Sequence, residues 1–311
     1  MVQIKSPAEK LRSEGIQKLI NKGPVEFGKS GGRYIRNYTS KIIIPRIKDY
    51  FVREFLDDEY TLPSHLRRFS DYNQTRAMAG RMYREISAHT GIPLKDNAYD
   101  SKDDEPSLDG FRIGDIGCGD GNLAVQFIEN HPEAEYIGMD IQKNRIDALQ
   151  QRFSDTNYQF VHSDVYNGRY NPTGDLDSET FDFPFPDDYF DLVILRSVFT
   201  HMLPADIENY LSEIDRVLKE GGKAWTTWFI IADDSDLDPT GKMFEFTSEH
   251  DNFYSLDEDN PERGVAYPRE TVNDLLEETS LEIDNEVLGW WRDTSRFAKP
   301  ATDTQDILVF K

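Results

Sequence analysis

The sequence is poor in the usual external braces. It has one cysteine in 311 residues, Cys118, so no internal disulfide framework can form. No apolar run approaches the roughly 18 residues that a membrane-spanning helix needs, and the first residues show no charged-then-apolar leader pattern. We therefore expect a soluble, cytoplasmic chain, at most peripheral to the inner face of a membrane. Positive charge is also scarce: 35 Lys and Arg stand against 58 Asp and Glu, a net charge of -23. Such a surface repels nucleic acid. It also suits a salt-rich, halophilic cytoplasm, where screening removes the self-repulsion.

The shortage is uneven. Residues 1–50 hold eleven Lys and Arg against four Asp and Glu, a balance of +7, which leaves -30 for the remainder. A basic amphipathic start can lie on an anionic membrane surface or pack by charge on an acidic domain. The sequence leaves both open. Hydrophobic residues make up 38% of the chain and aromatics 12%, enough for a real core.

Residues 1–109 read as a mainly helical extension. One or two helices should end at Gly91, and the acidic stretch 95–109 should mark a boundary. From residue 110 to residue 311 short strands alternate with helices, the pattern of a Rossmann-like α/β sheet covered on both faces. Strands are expected at 111–117, 135–141, 158–165, 189–198, 222–231, 282–291 and 305–311. Helices are expected at 122–131, 143–154, 204–219 and 268–280. Two long irregular segments, 166–188 and 232–267, follow strand carboxyl ends, where open α/β sheets bind ligands.

The first of these strands runs into "DIGCGDGN". Gly117, Gly119 and Gly121 allow close backbone approach by a ligand. Read from Gly119, the loop also fits the dinucleotide fingerprint G-x-G-x-x-A. The acids decide between ligands. Asp115 and Asp120 would serve a pyrophosphate poorly, but they suit the ammonium and sulfonium of S-adenosylmethionine. Asp140, at the second strand's end, would accept from ribose hydroxyls. Asp164 would accept from an adenine amino group, with Val165 packing on the ring. Any one of these acids could merely cap a turn; three with a glycine loop form a stronger pattern.

These motifs resemble the class I S-adenosylmethionine-dependent methyltransferases. "YIGMD", "FVHSDV", "FPFPDDYFDLVILRSVFTHM" and "IDRVLKEGGKAWTTWFI" extend the likeness over roughly residues 110–311. The resemblance implies a seven-stranded, mostly parallel sheet whose last strand is antiparallel. It implies Arg196 and Ser197 near the sulfonium and the acceptor. The Pro-Pro motif of nucleic-acid N-methylating branches is missing, since its place reads "RSVFTH"; DNA is not expected as a partner.

His201, just past the fourth strand, is the candidate general base for an alcohol acceptor, against the alternative that it only packs or caps. Tyr166, Arg169 and Tyr170, with Asn167, would line the acceptor site, as would Phe244, Phe246, His250, Phe253 and Tyr254 unless they form the second insertion's own core. No metal site is expected. The reading that follows is O-methylation of a sugar or uronic acid in a surface glycan (in protein N-glycosylation or polysaccharide assembly), with a lipid-linked acceptor one option. Methylation of RNA or of another small molecule, and donor binding without turnover, are the alternatives. The acidic balance after residue 50 also makes a stability prediction: the melting temperature should climb across a potassium chloride series beyond physiological levels. A maximum at low salt would remove the halophile reading.

Overall fold

Alternating apolar runs after residue 110 become strands because each side of the sheet needs its own apolar set. In the computed structural model, which describes residues 72–95, 107–238, 243–292 and 304–311, β1 (Arg112–Ile116), β2 (Glu135–Asp140), β3 (Gln159–His162), β4 (Phe190–Leu195) and β5 (Leu218–Trp228) lie parallel. The two late strands complete the sheet. With β10 (Ile283–Val287) and β11 (Asp306–Phe310), its order is β10-β11-β5-β4-β1-β2-β3. β11 runs antiparallel to both neighbours, so the expected architecture and its reversed last strand are present.

Successive residues of a strand point to opposite faces. In β4, Leu192 and Ile194 enter one core with Phe127, Tyr136 and Trp225, while Val193 and Leu195 enter the other with Phe199 and Trp228. β11 splits the same way, with Ile307 and Val309 against Leu308 and Phe310. Helices α2 (Asn122–Asn130) and α3 (Lys143–Arg152) cover the first face; α4 (Pro204–Val217) and α5 (Arg269–Leu276) cover the second. Pro204 occupies the first turn of α4, and Asp206 accepts the Leu203 amide at 2.7 Å, which caps the helix.

The chain divides into two units, residues 1–57 and 58–311, and every described residue belongs to the second. The basic segment 1–50 and residues 96–106 of the expected boundary lie outside the described residues. Helix α1 (Tyr72–Thr90) ends at Gly91, whose φ of 72° supplies the left-handed stop. The sequence reading placed α1 in an extension. In the structure Met82, Tyr83 and Ile86 share the core with Phe127 of α2.

A second correction concerns residues 232–267. They are not wholly irregular: β6 (Ile230–Ile231), β7 (Ser248–Glu249), β8 (Tyr254–Ser255) and β9 (Val265–Pro268) form a small separate sheet. β6 falls within the strand expected at 222–231; β7 and β8, like it, are only two residues long, too short for a period to show. The aromatics of this segment form a satellite core: Phe229, Phe244, Phe246 and Trp291 pack ring on ring.

That core leans on one buried carboxylate. Asp306 accepts the amides of Ile230 and Gly289 and the Trp291 indole N–H, each at 2.8 Å, and pairs with Arg292 through two nitrogens. Burial pushes Asp306 above the usual carboxylate range, against the pull of Arg292. Removing one partner of a buried pair costs about 3–5 kcal/mol; here Arg292 would keep Asp236 Oδ1 at 3.1 Å, while the two amides and the indole N–H would lose their acceptor. Asp306→Ala should therefore lower folding stability by about that amount, read by chemical denaturation; a loss within surface-mutation range would show that Arg292 is stabilised elsewhere.

Candidate active site

At the end of β1 the backbone turns left-handed at Gly117 (φ 77°), Gly119 (57°) and Gly121 (70°). A Cβ on Gly117 would meet Val198 Cγ2 at 2.4 Å, so the loops after β1 and β4 can lie against each other only because that position is glycine. The Asp140 carboxylate fastens the turn: it accepts the Gly119 amide at 2.8 Å and the Gln142 amide at 2.7 Å. Burial still raises Asp140, against those two bonds and the nearby Arg145.

Asp115 is buried and accepts from the Tyr136 hydroxyl. Burial pushes its carboxyl up to about 7, partly offset by that hydrogen bond. Asp120 is also buried, and accepts from Asn122 Nδ2 at 2.7 Å. Cys118 is buried, and burial pushes its thiol well up. It is unsuited to nucleophilic chemistry.

These groups line one end of a cavity of about 470 Å³, within the range of small-molecule sites. Asp115, Gly117, Gly119, Asp120, Asp140, Val165 and Arg196 face it, as the sequence suggested. Two expected residues do not. Gly121 caps α2 and packs on Leu149, where a Cβ would meet Cδ2 at 2.5 Å. Asp164 has its carboxylate taken by Asn171 Nδ2 at 3.0 Å, and the wall there is made by Ser163 and Val165. Met78 and Met82 of α1 and Arg145 of α3 complete this end. Nothing in the sequence linked α1 to the glycine loop.

Three carboxylates around a left-handed glycine turn suit a ligand that carries positive charge beside hydroxyls. They suit a pyrophosphate badly. S-adenosylmethionine, with its ammonium, sulfonium and ribose diol, fits this donor set, which includes Asp140.

The other end of the cavity is built by the insertions. Tyr166, Asn167, Arg169 and Tyr170 come from the first, Glu262 from the second, and His201 from the turn after β4. Tyr166 and Tyr170 are exposed rings, 49% and 37% accessible, at its mouth. The Arg169 guanidinium lies 5.1 Å from the Tyr170 ring centre. The expected second-insertion aromatics are absent from the lining: Phe244, Phe246 and Tyr254 pack in the satellite core, and Phe253 packs on the main core with His250 stacked on it. Ser178, Asp206 and Tyr210 line this end without having been foreseen.

His201 Nδ1 lies 2.9 Å from the Glu262 carbonyl oxygen. A carbonyl can only accept, so the neutral ring carries its proton there and presents Nε2 as an acceptor. The Tyr170 hydroxyl stands 3.4 Å from Nε2. Ser197, next to Arg196, is held at φ 54°, strained for a residue with a side chain. Its amide donates to Thr227 and its hydroxyl to Gln305, each at 2.8 Å. Burial raises Glu262 above the usual range, opposed by the Gly168 hydrogen bond.

Comparison with known proteins agrees with this site. Residues 114–226 match the methyltransferase domain family. A fatty-acid O-methyltransferase of Mycolicibacterium smegmatis is 28% identical over 141 residues, covering 42% of this chain and 45% of that protein. A tRNA N(3)-cytidine methyltransferase of Gallus gallus is 30% identical over 117 residues, covering 36% and 28%. A phthiotriol/phenolphthiotriol dimycocerosates methyltransferase of Mycobacterium ulcerans is 27% identical over 153 residues, covering 49% and 47%. The chain spans less than half the length of each of these relatives. Among solved structures, an S-adenosylmethionine-dependent methyltransferase of Methanosarcina mazei has a TM-score of 0.44 at 17% identity, covering 64% of this chain and 91% of that one. Residues 114–226 therefore carry the match to a methyltransferase domain, and they contain the glycine turn, Asp115 and Asp140, whose chemistry suits S-adenosylmethionine.

Asp140→Ala removes an anchor of the loop and the acid expected from the sequence to accept from the ribose. Losing hydrogen bonds to a charged group costs about 1.5–3 kcal/mol, so donor affinity by calorimetry in high salt should fall about 10- to 100-fold. An unchanged affinity would place the ribose elsewhere.

Proposed function

We propose that the protein is an O-methyltransferase acting on a sugar or uronic acid of a surface glycan. The observation that carries this reading is the acceptor end of the cavity. Exposed tyrosine rings stand there beside Arg169 and Asn167, with the acceptor nitrogen of His201 among them. Sugar faces stack on rings while their hydroxyls need polar partners. A long acyl chain would want an apolar channel, and this wall is polar and aromatic.

When bound, S-adenosylmethionine supplies a methyl group on a sulfonium, an in-line displacement whose rate depends largely on alignment. The residues of the chain do the rest. The left-handed glycine turn, with Asp115 and Asp120, makes an anionic cradle for the donor. His201 takes the hydroxyl proton at Nε2 while its Nδ1–H stays on the Glu262 carbonyl. Tyr166 and Tyr170 offer stacking faces, and Arg169 offers a charge for a carboxylate. The basic residues 1–50 would let the protein meet a lipid-linked acceptor at the inner membrane face.

The test is transfer of labelled methyl to a panel: a neutral methyl glycoside, a methyl glucuronide, a fatty acid and total tRNA. The latter two represent substrates named for relatives. Label entering a sugar supports the proposal, and label entering only fatty acid or tRNA overturns it. Within the sugar arm, His201→Ala should lower turnover of a neutral hydroxyl by about 10²–10⁴-fold with donor binding intact. A carboxylate acceptor is already ionised at neutral pH and should lose little. Equal rates of mutant and wild type on the neutral sugar would reduce His201 to a packing residue.

A further inference from the structure

The two long insertions meet at one side chain. Glu262, from the second, accepts Asn167 Nδ2 at 2.7 Å on one oxygen and the Gly168 amide at 2.7 Å on the other, both from the first. Its backbone carbonyl takes His201 Nδ1 at 2.9 Å. Asn167 closes the triangle, since the same Nδ2 donates to the His201 carbonyl at 3.0 Å. The Asn167 amide cannot turn over without loss, because its Oδ1 already accepts the amides of Arg169 and Tyr170 at 3.2 and 3.0 Å. Next door, Arg169 donates to the Arg263 carbonyl. The room at Gly168 is filled by this contact: a Cβ there would stand 2.3 Å from Glu262 Oε2.

We propose that Glu262 is a positioning residue that latches the two insertions over the acceptor end of the cavity. Its carboxylate holds the 167–170 turn, and its carbonyl sets the tautomer of His201. The proposal rests on the reading of His201 as the base. Sequence spacing hides it, because Glu262 lies 61 positions from His201 and 94 from Gly168. The carboxylate form matters chemically. Two N–H donors face Glu262, and an ionised carboxylate gives an acceptor to each; a glutamine offers one acceptor and sets its own N–H₂ against the other donor.

The test uses the full chain with labelled histidine, following the His201 ring nitrogens by long-range proton–nitrogen NMR, with His201→Gln assigning the signal. Wild type should show the proton on Nδ1. Glu262→Ala, and independently Gly168→Ala, which leaves Glu262 in place but crowds it, should move the ring toward the Nε2-protonated form that water favours. Donor affinity should stay unchanged by calorimetry. In turnover with the neutral methyl glycoside, both variants should lose kcat on the order of 10²-fold, as misplaced catalytic groups do, and Glu262→Gln should fall between them and wild type. Thermal melting confirms that each variant is folded. A ring that keeps its tautomer in both folded variants overturns the latch, as does donor affinity falling in step with turnover. The NMR needs no acceptor. If wild type methylates no sugar but the ring responds as stated, the latch stands and the sugar reading falls.

Discussion

The hydrogen bond from the Gly119 amide to the Asp140 carboxylate is the constraint on which the donor end depends. It joins the loop after β1 to the end of β2 at 2.8 Å. It holds a backbone that is left-handed at Gly117, Gly119 and Gly121. Without a fixed partner such a loop would sample many conformations, because glycine gives up more freedom on ordering than any other residue. The anchor is itself an acid that faces the cavity, so the same group that orders the loop also presents lone pairs to that space. Scaffold and binding site are therefore one interaction. Burial raises both Asp115 and Asp140. A cation bound beside them would favour their charged forms and oppose that effect.

The acceptor end is made differently. His201 comes from the turn after β4 and Asp206 and Tyr210 from α4, while Tyr166, Asn167, Arg169, Tyr170, Ser178 and Glu262 are supplied by inserted segments. The second insertion is braced by its own small sheet, and side chains tie the first to the domain. Ser178 donates to Asp206 and so ties the first insertion to the cap of α4. Arg216 of α4 reaches the carbonyls of Phe183 and Phe185 together with Glu213 and Asp187. Such an arrangement lets a constant donor site serve different acceptors by changing loops, in keeping with function residing in sites carried on a fold.

How much of this was legible follows from the range of each signal. The strands and helices after residue 110 could be read because their apolar periodicity is local. Asp115, Gly119 and Asp140 could be read because loop and strand-end acids have a fixed spacing. The surroundings of Asp164 had no local cue: its neighbours Ser163 and Val165 face the cavity, while one of its own carboxylate oxygens accepts from Asn171. Met78 and Met82 of α1 look like ordinary apolar positions of a helix. Glu262 is one acid among 58 Asp and Glu, and only the meeting of two insertions distinguishes it. The aromatics of 244–254 carried a true signal of packing, Phe244, Phe246 and Tyr254 in a cluster of their own and Phe253 against the main core.

The central claim is that one cavity holds the donor against the Asp140 end and offers an acceptor oxygen to His201 at the other. A crystal structure of the full chain with S-adenosylhomocysteine and a methyl glycoside tests it most directly. The account predicts ribose hydroxyls on Asp140, with the sugar between Tyr166 and Tyr170. One sugar oxygen should lie within about 3–3.5 Å of the transferred methyl's position and in hydrogen-bond reach of His201 Nε2. A nucleoside bound away from Asp140, or an acceptor site on the far side of the sheet from His201, would contradict it.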